Sequence, residues 1–208
     1  MPNHPLTQQV LELSEIPIAA PSANLFGRLS PTTVDHVLEQ LGDRIDLVLD
    51  GGPCTVGVES TILHIEGERV SCLRPGGVAW EEIEQVTGPI ELAQLDQGQA
   101  PVAPGQLPSH YAPRTPIQLV DEIPAVAPRA GCGALSFQPV TVHGYQNLEI
   151  LSEDQNLEEA ATHFFPALHR LDQSGLQVIL ATRFPNTGLG RALNDRLFRA
   201  AHSSAEFL

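Results

Sequence analysis

Between Leu157 and Leu171 the apolar side chains fall at Leu157, Ala160, Ala161, Phe164, Phe165, Leu168 and Leu171, which is one stripe of an amphipathic helix. Asn156 and Glu159 stand where a capping pair belongs. Short β-type runs at 117–120, 132–137 and 148–151 precede this helix, and a strand at 178–181 and a helix at 192–201 follow it. Strand and helix alternating in this way restrict residues 117–208 to a parallel sheet covered by helices, a Rossmann-like unit. Gly188-Leu189-Gly190 lies between its last strand and last helix. It is not a dinucleotide loop, because it lacks the third glycine and ends the unit instead of opening it.

The N-terminal part is α/β as well. Its reading is a helix at 7–13, a strand at 18–20, a helix at 31–41, a strand at 45–49, paired strands at 60–65 and 70–73, and a helix at 80–86. The stretch from Pro17 to Thr33 organises this part: a short buried strand, a polar loop, and a helix opening at Ser30 with Pro31 in its first turn. Ser22, Asn24, Gly27 and Ser30 converge there on a helix N-terminus. Free backbone N–H groups and the positive end of the helix dipole attract phosphate or carboxylate. An ordinary strand-to-helix turn is the plainer reading of the same residues.

Three further stretches accompany that loop: Gly57-Val58-Glu59-Ser60-Thr61, Leu73-Arg74-Pro75-Gly76 and His110-Tyr111-Ala112-Pro113. In this order the first two, with the loop, resemble the YrdC-domain family of threonylcarbamoyl-AMP synthases. The fourth matches the long form of that family, which carries an extra C-terminal domain. The resemblance implies a partial YrdC-like α/β domain over 1–93, a Pro/Gly-rich linker over 94–116 and the Rossmann-like domain over 117–208. In the family a Pro-x-His-Pro segment like Pro2-Asn3-His4-Pro5 sits in mid-domain, downstream of a Lys/Arg cluster used on phosphates. The chain therefore reads as one without the upstream half of that domain, and as a poor enzyme by itself.

The implied reaction joins L-threonine, bicarbonate and ATP into threonylcarbamoyl-AMP with loss of pyrophosphate, and supplies a downstream tRNA threonylcarbamoyl transferase acting at adenosine 37. Carried over by position, Ser22, Ser30, Arg74 and Tyr111 are nucleotide contacts. Ala20 and Ser60 are threonine contacts, Ala20 through shape or backbone. Positioning and electrostatics carry such a displacement, so no side chain is assigned as a covalent catalyst. Arg74 is the leading candidate, because a guanidinium fork suits phosphate oxygens; the alternative for it is an ion pair with Glu59 or Glu82. Glu59 either orients Ser60 or belongs to the fold. Tyr111 either closes the nucleotide pocket as the linker folds over it or simply packs. No tightly bound cofactor is implied; ATP is a substrate, and magnesium arrives with it.

The rest of the composition narrows the classes. A formal net charge of −14, from 11 Lys and Arg against 25 Asp and Glu, opposes a broad nucleic-acid face. Cys54, Cys72 and Cys132 form no C-x-x-C pair and read as buried fillers in a reducing compartment, the cytoplasm. The eight histidines show no H-E-x-x-H spacing, so no protein-ligated metal is expected. Neither Ser22 nor Ser60 lies in a G-x-S-x-G elbow. An RNA-binding module and a non-catalytic nucleotide-binding interaction module remain as alternatives to an enzyme.

Overall fold

In chain order the computed structural model runs through α1 (Pro5–Ser14), α2 (Val34–Leu41), β1 (Ile62–Glu66), β2 (Arg69–Arg74), α3 (Trp80–Thr87) and β3 (Glu91–Leu92). It continues through β4 (Ile117–Val120), β5 (Cys132–Ser136), β6 (Asn147–Ile150), α4 (Leu157–Gln173), β7 (Val178–Thr182) and α5 (Gly190–His202). The structure describes residues 2–93, 103–105, 107 and 109–202.

The C-terminal sheet has the order β4-β7-β5-β6, and every pairing in it is parallel. β5 is central and buried at all five of its residues, which is why it reads as a continuous apolar run and not as an alternation. On one face lies α4, whose Ala160, Ala161, Phe164, Phe165, Leu168 and Leu171 are all but fully buried. Asn156 caps α4 by accepting from the amides of Glu158 and Glu159. The Glu159 carboxylate does not return to the cap residue directly. It accepts from Ser152 Oγ at 2.6 Å, and that oxygen accepts from the Asn156 amide at 2.8 Å, so the capping pair is closed through a serine.

The N-terminal part carries a smaller sheet in which β1 and β2 are antiparallel and the two-residue β3 runs parallel to β2. Its own core is small, with Cys72, Ile83 and Ile90 backed by Leu63, Val70 and Trp80.

Three expectations for this part are corrected. Residues 18–20 and 45–49 form no strand; no described strand lies beside them to complete a ladder, and Ile18, Leu47 and Leu49 are exposed. The helix expected from 31 opens at Val34, with Thr33 as its cap, because the Ser30 hydroxyl is engaged elsewhere. Cys54 is exposed, whereas Cys72 and Cys132 are buried as expected.

Leu29 and Tyr111 belong to the same apolar cluster as Phe164, Phe165 and Leu197, so the N-terminal loop and the end of the 94–116 segment share the core built on α4 and α5. Ala112 pairs with Arg28 in an isolated bridge, and its amide donates to the Gly27 carbonyl at 2.8 Å. Of the linker expected over 94–116, residues 94–102, 106 and 108 lie outside the described residues.

Candidate functional site

Gly57 fixes the wall of the site. It sits at φ +78°, and a Cβ placed there would come within 2.0 Å of the Ala161 carbonyl of α4. Only glycine allows the loop to lie this close to the helix backbone. Thr162 Oγ1 pins the same loop by donating to the Thr55 carbonyl at 2.9 Å. Facing it, residues 22–32 are held by the Cys54 amide, which donates to the Thr32 carbonyl at 2.9 Å.

Between these segments opens a cleft of about 540 Å³, lined by Ser22, Ser30, Thr32, Cys54, Glu59 and Phe165 among others. His4 reaches its rim, capping α1 through Nδ1 and lying 3.3 Å from the Gly51 carbonyl through Nε2.

Glu59 is the hub behind the cleft. Ser30 Oγ donates to one of its carboxylate oxygens at 2.6 Å, and Arg196 Nε of α5 donates to the other at 2.7 Å. Burial works against a charge on Glu59, yet the Arg196 guanidinium and the Ser30 hydroxyl outweigh it and hold the carboxyl below its ordinary range. Arg196 is fully buried; its carbon Cζ lies 5.0 Å from the centre of the Tyr111 ring, and its Nη1 donates to Asp195 at 2.6 Å. Tyr111 is 2% exposed and adopts φ +61°, a backbone region costly for a bulky residue and kept only where the surroundings enforce it. His110 lies edge-on to Tyr111 at 4.2 Å, and burial lowers its pKa. Two buried atoms here, His110 Nδ1 and Arg196 Nη2, have no hydrogen-bond partner among the described residues.

Arg74 joins this hub through Ser60, the residue after Glu59. Its Nε and Nη2 both donate to the Ser60 carbonyl, at 3.2 and 2.9 Å, its Nη2 also reaches Ser60 Oγ at 3.3 Å, and its Nη1 donates to the Pro104 carbonyl at 3.2 Å. Neither Glu59 nor Glu82 is among these partners, so the ion-pair alternative for Arg74 is not what the structure shows. Arg74 and Tyr111 meet across Gly105, where an added Cβ would lie 2.2 Å from the Tyr111 hydroxyl and 3.3 Å from Arg74 Cδ.

The candidates therefore divide. Ser22 and Ser30 share the cleft, while Ser60, Arg74 and Tyr111 form an adjoining cluster joined to it through Glu59 and Arg196. Ala20 is exposed and lines neither. Glu59 orients Ser30 and not Ser60. Arg196 was missed by reading motifs, although a lone arginine within the apolar stripe Ala192, Leu193, Leu197, Ala200 was visible as an anomaly. No cluster of His, Cys, Asp or Glu suited to a metal occurs among the described residues. No described helix is long and apolar enough to cross a membrane.

Known proteins share this architecture. Residues 78–202 match the family described as "Threonylcarbamoyl-AMP synthase, C-terminal domain", and residues 1–76 match the one described as "Telomere recombination". The chain is 37% identical to a threonylcarbamoyl-AMP synthase of Bacillus subtilis and 38% identical to one of Pyrococcus abyssi, in each case over 97% of this chain and 62% of the relative. The chain thus spans somewhat under two thirds of the length of these relatives. The crystal structure of P. abyssi Sua5 complexed with L-threonine superposes with a TM-score of 0.84 at 33% identity, covering 98% of this chain and 63% of that one. A variant of the same protein with an adjacent His and Tyr both replaced by Ala superposes with a TM-score of 0.82 at 32% identity, covering 98% and 62%. With more than half of its residues matched to that first family and almost all of them aligned to its named members, the chain belongs to the threonylcarbamoyl-AMP synthase family.

Proposed function

We propose that this chain forms the nucleotide wall of an L-threonylcarbamoyladenylate synthase, working in the cytoplasm and feeding a tRNA threonylcarbamoyl transferase. In the reaction a carbamate oxygen, made from L-threonine and bicarbonate, attacks the α-phosphorus of ATP in line. The new oxygen–phosphorus bond forms as the bond to pyrophosphate breaks, and no side chain is required as nucleophile. The hydroxyl oxygens of Ser22 and Ser30, whose protons go to Asn24 and Glu59, face the nucleotide from the cleft as acceptors. Arg74 and Tyr111 bound it from the adjoining cluster, and Ser60 and the backbone near Ala20 face the threonine end.

The observation that supports this reading is the continuity of the Ser30–Glu59–Arg196–Tyr111 chain of contacts behind the cleft, which brings residues far apart in sequence onto one surface. Magnesium carried with ATP neutralises part of the triphosphate charge. The L-threonine complex of the P. abyssi relative supports the amino-acid substrate. Titration calorimetry of the 208-residue chain with magnesium ATP is expected to show saturable binding. Pyrophosphate release should depend on both threonine and bicarbonate. Absence of ATP binding would overturn the reading.

A further inference from the structure

The cleft and the linker cluster are both held by one helix of the C-terminal unit. Along α5, Arg196 reaches Glu59 at 2.7 Å and lies over Tyr111 at 5.0 Å. One turn on, Arg199 Nη1 donates to the Leu107 carbonyl at 2.6 Å, and the Arg199 carbonyl accepts from the His110 amide at 3.5 Å. Asp195 joins the two arginines, accepting from Arg196 Nη1 at 2.6 Å and from Arg199 Nε at 2.9 Å. We infer that Arg196 is a positioning residue for nucleotide binding, through which the C-terminal unit sets the Ser30 hydroxyl and the Tyr111 ring at the geometry that the proposed adenylate site requires.

The inference rests on the nucleotide-site reading above and assigns that site a determinant from outside the N-terminal part. The chemistry is specific to a guanidinium. Its fork donates to Glu59 and Asp195 through two different nitrogens while its carbon Cζ lies 5.0 Å from the centre of the Tyr111 ring, three contacts that an ammonium point charge cannot make together. With its second oxygen held by Arg196, the Glu59 carboxylate is fixed in rotation and presents its first oxygen to Ser30 Oγ. Without that hold the carboxylate turns and Ser30 loses its orientation. Tyr111, strained at φ +61°, loses the cation that its ring covers.

The test compares three variants of the full chain with the parent by calorimetry with magnesium ATP, at a temperature where circular dichroism shows each to be folded. Arg196→Met keeps an unbranched apolar stem and removes the guanidinium, and is expected to weaken ATP binding tenfold or more. Leu197→Ala, in the same helix and buried in the same core, lowers the melting temperature and should leave ATP affinity within about twofold of the parent. That contrast separates positioning from mere stabilisation. If Arg196→Met does not fold, Arg196→Lys, which keeps a cation opposite Glu59, decides on the same readout with an expected loss of severalfold. Unchanged affinity in the folded variant overturns the role of Arg196 and leaves the nucleotide-site reading intact. Failure of the parent to bind ATP overturns that reading and the role together.

Discussion

A guanidinium's worth depends on which acceptors surround it, and Arg74 illustrates this. Its motif suggested a fork aimed at phosphate, yet in the structure its donors go to the carbonyls of Ser60 and Pro104, with the side chain 8% exposed. It therefore ties the β2 end to the linker. Arg74→Ala would leave these part-buried carbonyls unpaired and is expected to destabilise the protein by about 1.5–3 kcal/mol, the range for hydrogen bonds from a charged donor. Urea unfolding measures this; a loss under about 0.5 kcal/mol would show that the carbonyls find water instead. The identity of Arg74 was legible in the sequence because it stands in a local motif. Its partners were not, since Pro104 is 30 residues away and a side chain to backbone bond has no residue-type signature. Arg196 and Glu59, 137 residues apart, were less legible still. What the sequence does show there is the misfit of a charge on an apolar helix stripe.

Helices and strands differed in how far they announced themselves. α4 and α5 were readable because each carries a full amphipathic period, and the four parallel strands because apolar runs alternate with those helices. The segments at 18–20 and 45–49 have strand-like composition but no described partner strand, and pairing is a property of neighbours that a local run cannot reveal. The contact between α2 and α4 was equally hidden. His36 stacks on His169 with ring centres 3.7 Å apart and an interplanar angle of 11°. His36 Nδ1 accepts from the Thr32 amide at 3.3 Å, and His169 Nε2 lies 3.1 Å from the Ser30 carbonyl. Burial, reinforced by His169, lowers the His36 pKa from 6.5 to about 4, against the opposing pull of Glu39 and Asp35. Burial lowers the His169 pKa as well, opposed by its bond to the Ser30 carbonyl and by Glu39 and Asp172. A histidine whose folded pKa is depressed contributes stability that is complete above its unfolded pKa and is lost as the proton binds. Stability should therefore fall as pH drops from 6.5 toward about 4, the window set by His36. His36→Phe, which keeps the ring stack and cannot be protonated, is expected to flatten the melting temperature across that window. A slope equal to that of the parent would refute the assignment.

At the scale of the whole molecule, the described residues of the N-terminal part form a separate cluster of only three buried apolar side chains, Cys72, Ile83 and Ile90, while its Leu29 joins Tyr111 in the cluster of twenty built on α4 and α5. The Gly57 loop lies against α4, Arg196 is anchored on Glu59, and Arg191 of α5 lies 5.4 Å over the ring of Trp80, the single tryptophan of the chain. Contacts this extensive couple the unfolding of the two sheets. Trp80 fluorescence reports the N-terminal part and the α5 contact, whereas far-ultraviolet circular dichroism is dominated by the longer C-terminal helices. The two probes should give coincident urea transitions in the parent. Gly57→Ala tests the cause: its methyl group would meet the Ala161 carbonyl, so the loop must lift from α4 and the backbone must hold φ +78° without glycine. The expected result is that the Trp80 transition moves to lower urea while the circular-dichroism transition moves less, separating by more than experimental error. Two transitions already separate in the parent would show that the shared core does not couple the sheets, and coincident transitions in Gly57→Ala would show that the loop contact is not what joins them.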